Sequence, residues 1–211
     1  MQLPEILIVL AAVACLVGYQ VKYVRDSRRR PDSTPFGISS ISRRLWVESV
    51  MAERRDVLAV QTLRNRTMGA SLLASTAFVV SVGLISFVLA AGDVPALVHR
   101  LNFLGTTSEQ VVMIKILVLL VNFFVAFFNF TQAIRYYNHV ALDINVPPTA
   151  SATISPALVA KLLDRGALHY AWGLRGYHLA APLLLWLFGP LWFLFGAVAL
   201  VAVLYRFDHV G

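Results

Sequence analysis

Four long apolar runs constrain this chain more than anything else in it: residues 3–23, 68–91, 111–134 and 179–205. Crossing a hydrocarbon core as a helix takes roughly 20 apolar residues, and each run is long enough. The second, third and fourth contain no Asp or Glu, and Lys115 is the one charge within them. None alternates polar and apolar residues with a period of two, so barrel strands do not fit. The expected fold class is all-α integral membrane: one membrane domain over residues 1–211 with four transmembrane helices. Composition agrees, because a chain that is 58% hydrophobic and 14% charged has too few charges to cover a soluble domain of 211 residues.

Eighteen Lys and Arg against eleven Asp and Glu, a net charge of +7, suggest nucleic acid until their positions are read. Eleven of the basic residues fall between Lys22 and Arg66 and four between Arg135 and Arg175, whereas the loop after the second run holds only Arg100. Basic residues in alternate loops follow the positive-inside rule. The expected topology is N-out/C-out in the bacterial inner (cytoplasmic) membrane, multi-pass, with residues 25–66 in the cytoplasm and no nucleic-acid partner. Glu5 precedes the first run, and Lys22, Arg25 and Arg28 to Arg30 follow it. This is the reverse of a signal peptide and suits a retained anchor. Cys15, the single cysteine, is expected to pack as a small apolar residue and excludes an internal disulfide.

Between the first two runs, Pro31, Pro35 and Gly37 are expected to break any helix, with Ser39, Ser40 and Ser42 as N-caps for a new one. From about 42 to 66 the pattern is an amphipathic cytoplasmic helix. Trp46, Val47, Val50, Met51, Val57 and Leu58 share one face; Arg44, Glu48, Arg55 and Arg66 share the other. Two placements stay open: flat on the inner membrane surface, or packed on the cytoplasmic ends of the bundle and running into the second span. The outer loop, 92–110, is expected to hold a brief interfacial helix. Ser155-Pro156 reads as an N-cap followed by Pro at N1, and Gly189-Pro190 should bend the last span. Ala14/Gly18, Ala70/Ala74 and Ser71/Ser75 carry the four-residue spacing of small residues that lets helices approach closely in lipid.

Three sets of residues are candidate sites. Lys115, Asn122 and Asn129 recur every seven residues and so drift only about 20° per step round a helix; with Gln132 they make an intramembrane polar stripe. The two asparagines are too deep to reach water. They are expected to face a protein neighbour or a polar path, while Lys115 snorkels toward the boundary. Arg64, Asn65 and Arg66 on one helix end, and Arg135, Tyr136 and His139 on another, suit the phosphate of an anionic lipid head group on the cytoplasmic side. His139 and His178, from different spans, form a candidate haem or metal pair; His99 and His209 fall outside. No HxxxH, HExxH or CxxC spacing occurs, and no cofactor is expected.

The pieces RRLWVESVMAERRDVLAVQTLRNRTMGASLLAST, NFTQAIRYYNHVALDINVP and RGYHLAAPLLLWLFGP resemble a membrane family of bacteria and plants, the domain of unknown function family numbered 599. The resemblance covers most of residues 42–192. It implies a multi-span membrane protein and carries over no activity and no functional residue. The expected function is that of a non-enzymatic inner-membrane protein, a structural or accessory component that forms a homo-oligomer or joins a larger membrane complex. The alternative is a small transporter or channel with the third span lining a polar path; a haem-binding electron carrier comes third.

Overall fold

The computed structural model describes residues 3–29, 34–90, 108–147, 149 and 153–208. The expectations for the outer loop, Arg100, His99 and His209 fall outside these residues. The described chain is helical, without a strand: α1 (Leu3–Arg29), α2 (Pro35–Glu53), α3 (Asp56–Ala90), α4 (Glu109–Asp143), α5 (Pro156–Phe188) and α6 (Pro190–Asp208). Four of these, α1, α3, α4 and α6, are long and apolar enough to cross a membrane, which makes the chain a multi-pass membrane protein.

Helix α4 is the axis of the bundle. It runs antiparallel to α3, with Leu119 and Phe123 clustered with Ala77 and with Ala126 and Phe130 clustered with Ala74. It also runs antiparallel to α5, from Val112 and Ile116 beside Leu187 at one end to Tyr137 against Gly166 toward the other. Glycines on α5 make this contact close. A Cβ on Gly166 would stand 2.7 Å from the Tyr137 ring, one on Gly173 2.7 Å from the Phe130 ring, and one on Gly176 3.0 Å from the Ala126 Cβ. At 1.5 Å per residue, the 35 residues of α4 extend about 50 Å, well beyond a hydrocarbon core of about 30 Å. The surplus is at its C-terminal end, where Tyr137, Val140 and Ile144 join Val47 and Val50 of α2, Leu63 of α3 and Val159 and Leu163 of α5 in one buried cluster.

Two boundaries differ from the sequence reading. The amphipathic segment 42–66 is two helices. Thr34 caps α2, its Oγ1 accepting the Gly37 N–H at 3.3 Å, and Pro35 takes N1, where its missing N–H costs nothing. The chain then breaks at Arg54, a left-handed residue with φ 50° and ψ 47°. The break falls within Glu53-Arg54-Arg55-Asp56, four successive charges with no apolar side chain to bury. Residues 56–66 are the first turns of α3 and run straight into the second span. Of the two placements, α2 takes the packed one, with Val47, Val50 and Met51 buried and Arg43 bonded to Asp164 of α5 at 2.6 Å.

The second correction concerns residues 179–205, expected as one bent span. Gly189, at φ 144° and ψ 165°, a backbone conformation reserved for glycine, reverses the chain instead. Trp186 stacks on Phe193 at 5.0 Å, and a Cβ on Gly196 would lie 3.1 Å from the Pro182 Cα. Arg175 reaches Asp208 at 2.7 Å. Thus α5 and α6 form an antiparallel hairpin. Helix α6 in turn runs parallel to α1: Ala12 and Leu16 share a cluster with Phe193 and Ala197, and the Tyr19 hydroxyl donates to Asp208 at 2.7 Å. Leu3 and Asp208 therefore lie at opposite ends of the bundle.

Candidate functional site

The polar stripe of α4 is a seam against α5. The Asn122 Nδ2 donates to the Gly176 carbonyl at 2.9 Å, across the contact that Gly176 leaves open. Asn129 donates to Val125 O one turn back at 2.8 Å, and its Oδ1 lies 3.0 Å from the His169 Nδ1. The His169 ring stacks on Tyr136 at 5.6 Å. Both carboxamides are thus engaged with protein groups. Lys115 does not snorkel. It is 3% exposed, its Nζ sits 5.9 Å from the centroid of Trp186, and the charge of Glu5 in the first turns of α1 acts on it. A buried lysine with an acidic and an aromatic neighbour is the usual way such a charge is accommodated in a membrane interior. Gln132 is half-buried on the same helix.

The histidine pair does not converge. Gly176 marks the level of Asn122, His139 is seventeen residues further along α4, and His178 lies two beyond Gly176 in the opposite sense. At 1.5 Å per residue they stand more than about 20 Å apart along the bundle, too far to bind opposite faces of one iron.

The two basic clusters meet at one end of the bundle but do not act as a unit. Arg64 and Arg135 are exposed, as is His139, and Arg64 lies beside Asp56, Val60 and Gln61 on the outer surface of α3. Asn65 and Arg66, also exposed, line the mouth of a pocket that they share with Gly69, Tyr137 and Tyr170.

That pocket continues into a cavity of about 290 Å³ to which all six helices contribute: Tyr23 of α1, Phe36, Ser39 and Arg43 of α2, Arg66 of α3, Tyr137 of α4, Tyr170, Arg175 and His178 of α5, and Asp208 of α6. Its three arginines differ in their satisfaction. Arg175 is held on both terminal nitrogens: Nη1 donates to Gln20 at 2.6 Å, Nη2 to Asp208 at 2.7 Å, and its guanidinium lies 3.9 Å over the Tyr23 ring. Arg43 is bonded through Nε to Asp164, whose other oxygen accepts from Ser40 at 2.7 Å, while its Nη2 is enclosed and has no partner. Arg66 is exposed on one side. Three cations against one lining acid leave the cavity positive even after Asp164, behind Arg43, is counted. Its chemistry is that of an anion receptor: guanidinium forks, tyrosine hydroxyls and a low-dielectric wall.

The sequence singled out Arg66 among the residues that line the cavity, and did not single out Arg43, Tyr137, Tyr170 or Arg175. Arg43 stood on neither named face of the amphipathic segment. Arg175 sat in a stretch read as loop, although its setting between Gly173 and Gly176, with Gly166 seven residues before Gly173, is the signature of a packed helix face.

A family model matches the chain over residues 7–211, that of a protein of unknown function, DUF599. The chain belongs to this family. The DUF599 match takes in α2 to α6 entire and all but the first residues of α1, and with them the whole lining of the cavity. No curated protein and no solved structure matches the chain.

Proposed function

We propose that this DUF599 protein is a non-enzymatic bacterial inner-membrane protein that binds an anionic group in the cavity at its cytoplasmic end. Arg43 carries the reading. A guanidinium nitrogen enclosed without an acceptor costs about 1–3 kcal/mol, and an anion in the cavity would remove that cost. Arg66 and Arg175 bound the same space, and the tyrosine hydroxyls add neutral donors.

The orientation proposed with it is N-out/C-in with five crossings, α5 being the fifth. Every Lys and Arg of the described helices except Lys115 lies on α2, on the first turns of α3, or toward the end of the bundle shared by Arg29 and Asp208. Moving α6 to five-crossing geometry brings Arg206 to the same side, so the charge asymmetry is sharper than in a four-span reading. Gentle extraction followed by native mass spectrometry tests the binding. Wild type should retain an anionic species that the Arg43→Gln/Arg66→Gln variant loses. A ligand-free wild type, or retention unchanged in the variant, refutes the proposal.

Self-association as an accessory component is a second reading, supported by α1. Ala14 is exposed, and a Cβ on Gly18 would meet nothing within 4 Å, so this small-residue face looks outward. Ala70 and Ala74, by contrast, are spent on packing within the chain. In a Cys15→Ser background, Ala14→Cys should cross-link to a second copy on mild oxidation in native membranes; a strictly monomeric product contradicts it.

A further inference from the structure

The cavity does not end at its arginines. A second space of about 280 Å³ adjoins it, sharing Tyr23, Phe36, Ala171 and Arg175, and extends between α1 and α5 along Val24, Leu168 and Trp172. Its character changes along its length. The shared end is polar, with the Arg175 guanidinium stacked on Tyr23, and the far end is aliphatic and aromatic. Leu168 and Trp172, one turn apart on α5, are 43% and 41% exposed, so the far end opens on the flank of the bundle rather than on its tip.

Depth adds a second constraint. Arg175 is level with Asp208, the last residue of α6, whose 19 residues extend about 28 Å from the Gly189 turn at the other end. That length matches one hydrocarbon thickness. Arg175 therefore marks the inner edge of the hydrocarbon; Arg43, bonded to Asp164 eleven residues earlier on α5, stands about 16 Å nearer the cytoplasmic end, and Leu168 and Trp172 of the apolar gap lie between these two levels.

We infer that the ligand is an anionic phospholipid of the cytoplasmic leaflet, its phosphate held by Arg43 and Arg66 and its apolar part lying in the α1–α5 gap against Val24 and Trp172. This rests on the anion-binding reading above and adds the ligand's class. Phosphate oxygens accept from a guanidinium fork in its own geometry. Arg175, fixed by Gln20 and Asp208, stands at the junction of the two spaces. A free phosphate ion would satisfy Arg43 equally well but would leave the apolar gap unfilled.

The experiment uses full-length protein in uncharged detergent and three probes: inorganic phosphate, dihexanoyl-phosphatidylglycerol, and the same lipid with brominated chains. The lipid should bind at least about tenfold more tightly than inorganic phosphate, and the brominated lipid should quench fluorescence that is absent from Trp172→Phe. Arg66→Gln, at an exposed position that the fold tolerates, should weaken both anions about tenfold, the worth of one charge-assisted bond. Val24→Trp, which fills the gap, should weaken the lipid alone. Equal binding of phosphate and lipid, with no Trp172-dependent quenching, overturns the lipid inference and leaves the anion site standing. Lipid binding unaffected by Arg66→Gln and by Arg43→Lys overturns both, as does binding of neither probe.

Discussion

At the scale of single residues, the α4–α5 seam is decided by what is missing from α5 more than by what α4 offers. Gly173 leaves the space that the Phe130 ring occupies, and Phe130 is wholly buried against Tyr170 and Tyr177, so it cannot swing aside. Gly173→Val should destabilise the protein by about 1–3 kcal/mol, the usual cost of overpacking. Asn122→Leu loses one interhelical hydrogen bond, worth about 0.6 kcal/mol on average in membrane proteins. Denaturation midpoints of the two variants, measured in the same detergent, should rank the glycine change as clearly the worse. The spacing of Lys115, Asn122 and Asn129 showed in advance that they share an edge of the helix. Which neighbour they meet depends on three glycines some fifty residues away, and no helix periodicity reports that.

Elements are joined here by two turns of opposite design. At Arg54 a non-glycine residue occupies left-handed backbone, which costs an L side chain roughly 1–2 kcal/mol. Arg54→Gly should therefore raise stability by about 1 kcal/mol, although it deletes a charge, and a rise in melting temperature would show it. Beyond the turn, α2 is held on the bundle by Asp164, which takes Arg43 and Ser40 together. Asp164→Asn removes the charge that balances a buried arginine, so α2 should detach more often. Faster tryptic cleavage at Arg54 or Arg55, with the membrane spans still protected, is the expected signature. The amphipathic face of α2 was legible from its apolar spacing; its end at Glu53 was not, because a run of charges is compatible with either an exposed helical turn or a break. At Gly189 the glycine-proline pair announced an irregularity, but bend and reversal have the same local signal. The stacking of Trp186 on Phe193 and the fit of Gly196 on Pro182 distinguish them.

On the scale of the whole molecule, that reversal changes the topology. Phe207, 72% exposed near the end of α6, would lie outside the cell in a four-span protein and lies at the basic end in this one. With Cys15→Ser as background, Phe207→Cys should resist a membrane-impermeant maleimide in spheroplasts and react in inverted vesicles; the opposite result would restore the four-span arrangement. The fourth apolar run already takes in residues 179–188 of α5, so hydropathy registered that half of the helix without registering the turn after it; Arg175, just before the run, is tolerable there because Gln20 and Asp208 accept from it. Taken alone, the amino-acid sequence determined that the chain is helical, that it lies in a membrane and that its charge gathers on one side, since each follows from local composition and the transfer free energy of successive residues. Only the tertiary structure decided where the chain reverses, which helices touch, and that arginines from α2, α3 and α5 face one cavity. Those outcomes rest on contacts between residues far apart in the chain, whose fit is a matter of shape and partner rather than of hydrophobicity.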